Sequence, residues 1–280
     1  MMDFFFENIR NNTDWLHCLI VEYKLFYIDL WSFIHLVTGG AVLLVLSASG
    51  SKRIFSTLFL LLVLFEIAEI SFFIGVLKLF MPEKTLDVVN DIAIGMLGGF
   101  IIQKILTWKR RSVYAKWIFA AISAAFVSFV WVGWYGYSYN HSFFNSSCIN
   151  WWALTCWSFS GFVIIAINYH LEKKINFPAA FIITSAIYLT ALVVVEYIAY
   201  HFFKLHEITS DAEPLIFNII HGSRIMHIYY VTAPLFYILV YKFSNHFLKK
   251  YEKGDSPIKQ KNISAHSGHA YSFIRRSAGK

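Results

Sequence analysis

Charge is what this sequence has least of. Asp, Glu, Lys and Arg make up 15% of its 280 residues, hydrophobic residues 58%, and the mean hydropathy is +0.55. A water-soluble domain of this length needs far more polar surface, so a single solvated globule is excluded and long apolar runs in lipid take its place. Cysteine is scarce too. Cys18, Cys148 and Cys156 form no metal-ligand spacing and no evident disulfide framework. No Walker motif, dinucleotide fingerprint or Ser–His–Asp arrangement is present, which leaves ATP- or NAD-driven chemistry without support. The net charge of +7 comes with no nucleic-acid-binding motif, so nucleic acid is not an expected partner. The first residues, with Asp3, Glu7 and Arg10 and no early apolar core, do not resemble a cleaved signal peptide. No internal repeat stands out between the two halves.

What is present is apolar and aromatic. Aromatic residues reach 19%, with Phe the commonest, which suits lipid-facing positions; Trp and Tyr suit the headgroup level. About seven segments have spanning length, near 29–49, 54–80, 87–107, 115–138, 150–169, 176–203 and 221–247. The fold class is therefore an all-α polytopic membrane helical bundle. Residues 1–28 read as an N-terminal arm in which 14–27 forms either an interfacial helix or a short structured arm. Residues 29–248 form the bundle, and the basic, Ser- and Gly-rich stretch 249–280 reads as a disordered cytoplasmic tail.

Loop charge orients the bundle. Lys52 and Arg53, then Lys109, Arg110, Arg111 and Lys116, then Lys173 and Lys174, then Lys249, Lys250 and Lys253 follow alternate spans, while the other connections are poor in base. The positive-inside rule then places the N-terminus outside and the C-terminus in the cytoplasm.

Against that orientation the intramembrane ionisable groups segregate to the outer half. A charge at mid-bilayer costs about 3 kcal/mol or more, so such groups are a functional site by default. The first set is Asp29 and His35 in the first span, Glu66 and Glu69 in the second, and Asp87 and Asp91 opening the third. Asp87 and Asp91 stand at i, i+4 on one helical face. Gly95 and Gly99 continue that stripe, with Gly98 beside it, and small residues there let another helix approach closely. The second set is Glu196, Tyr200 and His201 in the sixth span with His221, Arg224 and His227 in the seventh. Imidazole and carboxylate in this second set suit Zn or Fe by type. However, spacings of five and six residues do not put two ligands on one helical face, so no metal ligand is assigned and a divalent metal stays an open alternative. Arg224 points instead to an anion.

The pattern of Asp29 and His35 leading a span, Glu66 to Glu69 in the next, and Asp87-Val-Val-Asn-Asp91 followed by Gly95 and Gly98-Gly99 resembles the VanZ-like family of small bacterial membrane proteins. The gap between Asp29 and His35 is longer than in that family. Asp91 stands where the family has Asn, and the Glu motif lacks its Gln. The resemblance covers residues 29–107 and implies a multi-pass protein of the bacterial cytoplasmic (inner) membrane, in a family linked to glycopeptide tolerance. The remaining four spans would be an addition.

The reading that follows is an outward-facing ionisable site that handles a lipid or lipid-linked envelope molecule, with membrane lipids as partners. Asp87, Asp91, Glu69 and His35 would supply general acid–base groups. Arg224, His221, His227, Glu196, His201, Asp29 and Glu66 would hold an anionic substrate. Whether the site is catalytic is left open. Two alternatives stand beside it: a proton-coupled transporter, and a non-catalytic envelope scaffold whose polar residues lock the bundle.

Overall fold

The computed structural model describes residues 13–24, 26–78, 80, 84–108, 111–205, 213–215, 220–222 and 224–253. The region read as a disordered tail lies outside the described residues from 254 onwards.

Among the described residues, seven long helices dominate. They are α1 (Leu30–Ala48), α2 (Ile54–Ala68), α3 (Thr85–Thr107), α4 (Arg111–Tyr135), α5 (Trp151–Leu171), α6 (Phe177–Tyr197) and α7 (Arg224–Glu252). Six of them, α1 to α6, are long and apolar enough to cross a membrane. Helices satisfy every backbone polar group internally, which lipid demands, and the chain is an integral membrane protein. The seventh expected segment is α7, whose run of tyrosines, with Lys242, Lys249 and Lys250, makes it less apolar than the other six. Helix starts are capped where the sequence supplies a short polar side chain. Asp29 Oδ1 accepts from Ser32 N at 2.9 Å, Asn150 Oδ1 from Ala153 N at 2.9 Å and Asn176 Oδ1 from Ala179 N at 3.0 Å.

The segment 14–27 is a structured arm and not a helix. A single helical turn, Asp14–His17, leads into strands β1 (Leu19–Tyr23) and β2 (Phe26–Asp29), which pair as a hairpin. Its residues are β-branched and aromatic, which suits a strand, and Lys24 turns the chain at φ 50°. Strands β3 (Glu213–Leu215) and β4 (Ile220–Gly222) form a second antiparallel pair, with Pro214 opposite His221.

The chain divides into two compact units. Among the described residues, the first holds β2, α1, α2, α3 and the last turns of α7 from Ser244. Its centre is the α1–α3 crossing, where glycines allow backbone contact. A Cβ on Gly39 would collide with the Gly95 backbone, and one on Gly98 with the Leu36 carbonyl. The leucines of α2 fill the adjacent face of α3: a Cβ on Gly95 would lie 2.9 Å from Leu62, and one on Gly99 would collide with Leu58.

The second unit holds residues 11–20 and 114–243. Trp15 packs on Phe129 with ring centroids 5.3 Å apart, and its ring occupies the space beside Gly133. The Tyr237 ring lies against Gly161 in the same way. A disulfide joins Cys18 to Cys148 across 130 residues with Cα atoms 5.6 Å apart, which corrects the reading that the cysteines form no framework. Sequence spacing could not show the pairing, because only the fold of the arm against the 136–150 connection brings the two cysteines within bonding distance. Cys156 remains a free thiol.

Candidate functional site

The first set of ionisable residues meets in space, inside the first unit. Asp29 caps α1, and its carboxylate takes the Ser32 backbone N–H, which holds it at the helix mouth. One helical turn beyond Ser32 comes His35. Glu66 lies in the last turn of α2, and Glu69 follows directly after its end. The helix ends at Ala68 and continues as a π-helical turn, Glu69–Ile74, in which Gly75 N donates to Ile70 O at 3.0 Å and Leu77 N to Phe72 O at 2.9 Å. The second span therefore ends at Ile74, short of the expected residue 80, which leaves Glu66 close to its middle and Glu69 nearly a turn closer to its end. Single π-turns of this kind recur at functional sites. Asp87 and Asp91 come from the first two turns of α3. Because α1, α2 and α3 alternate in direction, the start of α1, the end of α2 and the start of α3 share one end of the unit. The glycine contact between α1 and α3 then brings their carboxylates into reach.

Two triads result. The ligand atoms of His35, Glu66 and Glu69 all lie within 4.8 Å of one another, and so do those of Asp29, Asp87 and Asp91. His35 links the triads: its Nδ1 is 3.5 Å from Glu66 Oε1 and its Nε2 is 3.7 Å from Asp91 Oδ2. Both distances exceed a hydrogen bond. Ser32 ties the second triad together from within, its Oγ standing 3.1 Å from Asp29 Oδ1 and 3.2 Å from Asp91 Oδ1. The His35 ring is wedged edge-on between Trp31 and Phe65, at centroid distances of 5.7 and 5.8 Å. All six ionisable side chains are buried, none exposed by more than 3%. Both carboxylate oxygens of Glu66, Oδ1 of Asp87 and Nε2 of His35 have no hydrogen-bond partner among the described residues.

Chemically, a cluster of five carboxylates and one imidazole in low dielectric can do two things. It can share protons, because like charges so close cannot all ionise. It can also hold a divalent cation, since oxygen donors suit hard ions and an added imidazole suits Zn, Fe or Mn. The residues best placed for a metal are thus in the first set, whereas by residue type the second set was the candidate.

The described members of the second set lie in the second unit. Glu196 lines a cavity of about 210 Å³ in the second unit, together with Tyr200, Tyr230, Met226, Trp157 and residues of the 136–150 connection. Its Oε1 accepts from Tyr230 Oη at 2.8 Å. His201 is exposed, lies in a second π-helical turn (Ile198–Phe202) and packs at a tilt against the Tyr197 ring, centroids 5.0 Å apart. His227 is half-buried, with an Nε2 that has no hydrogen-bond partner among the described residues. The side chains of His221 and Arg224 lie outside the described residues, and with them the expected headgroup clamp. The face of α6 that carries Glu196 thus meets Tyr230 of α7.

Two features went unread in the sequence. Ser32 completes the aspartate triad, and its signal was local: Asp29 with Ser32 three residues on is a capping pair. Tyr137 anchors the other cavity. It accepts from Trp131 Nε1 at 3.0 Å and from Trp157 Nε1 at 2.9 Å, and burial pushes its phenol well above the ordinary value, so it stays neutral.

Compared with protein-family models, with curated proteins and with solved structures, the chain finds no match in any of the three.

Proposed function

We propose that this membrane protein acts at the outer leaflet of a bacterial inner membrane, on a lipid or lipid-linked envelope molecule, through the His35-centred cluster. The observation that carries the reading is convergence: six ionisable side chains from three helices gather into two triads linked by one imidazole. His35 stands between Glu66 and Asp91 as a proton relay would, and Asp87 offers a carboxylate oxygen with no hydrogen-bond partner among the described residues for a substrate hydroxyl or phosphate proton. Distances of 3.5 and 3.7 Å are of the kind that tighten when substrate or a proton is taken up. The outward orientation, with seven spans, is supported by the loop charges and by the Cys18–Cys148 disulfide, because disulfides persist on the non-cytoplasmic side. The resemblance of residues 29–107 to the VanZ-like family supports the envelope setting.

The test is complementation of a deletion strain under envelope stress with Asp87→Asn and Glu66→Gln, each checked for membrane insertion by gel and for monodispersity. Loss of function by about a hundredfold or more with normal insertion supports an acid–base role. Full function in both variants rejects it, and joint loss of insertion and function supports a scaffold.

The burial of all six groups favours a second reading, a proton-coupled carrier whose cluster is closed to bulk solvent in this conformation. Acidification of the lumen of proteoliposomes, abolished by Glu66→Gln, separates it from a lipid enzyme.

A further inference from the structure

The cavity in the second unit has a composition of its own. Its walls include Tyr137, Tyr139, Tyr188, Tyr200, Tyr230 and Trp157, with one carboxylate, Glu196. Several polar ends of these rings are engaged in the wall itself. Tyr230 Oη donates to Glu196 at 2.8 Å, and Trp157 Nε1 donates to Tyr137 Oη at 2.9 Å. Glu196 has no cationic partner among the described residues, its hydrogen bond being to a neutral phenol. The cavity therefore offers a ligand aromatic surface and a single negative group. At about 210 Å³ it is smaller than the roughly 300–1,000 Å³ of sites for drug-sized molecules, so it suits one compact group.

We propose that this cavity binds a quaternary ammonium group, held by the aromatic walls and by Glu196. Each competing ligand class meets an obstacle on the same walls. An anion would face the carboxylate. A dication needs three or more strong ligands, and the cavity supplies Glu196 and the Cys156 thiol. A primary ammonium carries three donors that each want an acceptor, and beside one carboxylate already shared with Tyr230 the side chains of the wall offer hydroxyl oxygens such as those of Tyr188 and Ser160, which are weaker acceptors for a cation than a carboxylate. A neutral apolar group would leave Glu196 facing it uncompensated. A quaternary ammonium needs no hydrogen bonds, is attracted by ring faces and balances one charge. The group could belong to a soluble solute such as choline or to a phosphocholine lipid headgroup. The cavity edge bears Val195, 60% exposed, and Trp152, 48% exposed, on surface that in a spanning helix bundle meets lipid.

The experiment uses the full chain in nanodiscs of choline-free phosphatidylglycerol and phosphatidylethanolamine, with radiolabelled choline as probe. Binding is expected to saturate below about 10 mM, to be displaced by tetramethylammonium, and to be untouched by the neutral isostere with carbon in place of the nitrogen. Glu196→Gln is expected to weaken it by about tenfold or more. Val195→Trp, placed at an exposed position, is expected to block the cavity mouth with the same loss. It decides the matter should Glu196→Gln not yield a parent-like melting curve. Nanodiscs of phosphatidylcholine separate the sources: suppressed binding there identifies the lipid headgroup, and unchanged binding identifies a soluble solute. No saturable binding in choline-free membranes, equal displacement by the neutral isostere, or full affinity in both variants overturns the proposal.

Discussion

Gly39 of α1 and Gly95 of α3 touch through their backbones, so closely that a Cβ on Gly39 would collide with the Gly95 carbonyl oxygen. This contact sets the distance between the two helices and thereby the reach between Asp29 or His35 on one and Asp87 or Asp91 on the other.

Gly39→Ala is accordingly expected to force α1 and α3 apart, at an overpacking cost of about 1–3 kcal/mol, and to lower function beyond the loss of stability. Thermal unfolding in detergent reads the first effect, and complementation the second. Ala41, on the exposed side of the same helix, gives the control: Ala41→Leu should stay within about 0.5 kcal/mol. Equal stability of Gly39→Ala and the parent would mean that the helices are not held at this contact.

Ser32 joins Asp29 and Asp91 through one hydroxyl. Ser32→Ala removes that bridge without changing helix length, and it should reduce function by about tenfold or more through misplacement of the aspartates. Ser32→Thr keeps the hydroxyl and should restore most of it. The two variants are compared at matched expression. If Ala and Thr behave alike, the bridge does not position the site.

The Cys18–Cys148 bond closes a long loop. Cys148→Ser should destabilise the protein by about 2–4 kcal/mol, read as a lower melting temperature that reductant reproduces in the parent. In the unreduced parent, a maleimide should label Cys156 alone, because it is the one free thiol. Labelling of all three cysteines without reductant would contradict the pairing.

Tyr237 is the hub of a buried hydroxyl network. Its Oη stands 2.9 Å from Ser128 Oγ, 2.9 Å from Tyr229 Oη and 3.3 Å from the Trp157 carbonyl. Tyr237→Phe strands those partners and should cost about 1–3 kcal/mol. Adding Ser128→Ala to it should recover part of the loss, since one orphaned hydroxyl disappears. A double variant less stable than Tyr237→Phe alone would show that Ser128 is satisfied elsewhere.

Much of this architecture was legible in the residue order. Lipid excludes unpaired backbone and charge, so apolar runs of spanning length had to be helices; six of the expected segments correspond to α1–α6, which are long and apolar enough to span, and the seventh overlaps the less apolar α7. The same penalty on buried charge made Asp29, His35, Glu66, Glu69, Asp87 and Asp91 stand out as a set, and helical spacing put the aspartates and the glycines of α3 on one face. Other features were decided by tertiary packing. Which faces meet is weakly marked when both sides of a helix are apolar, as lipid and protein interior favour the same residues. That is why the tyrosines that surround Glu196 could not be named from the residue order. It is also why the Cys18–Cys148 bond and the bridging role of Ser32 emerged only from three-dimensional proximity, across 130 residues for the first and between α1 and α3 for the second.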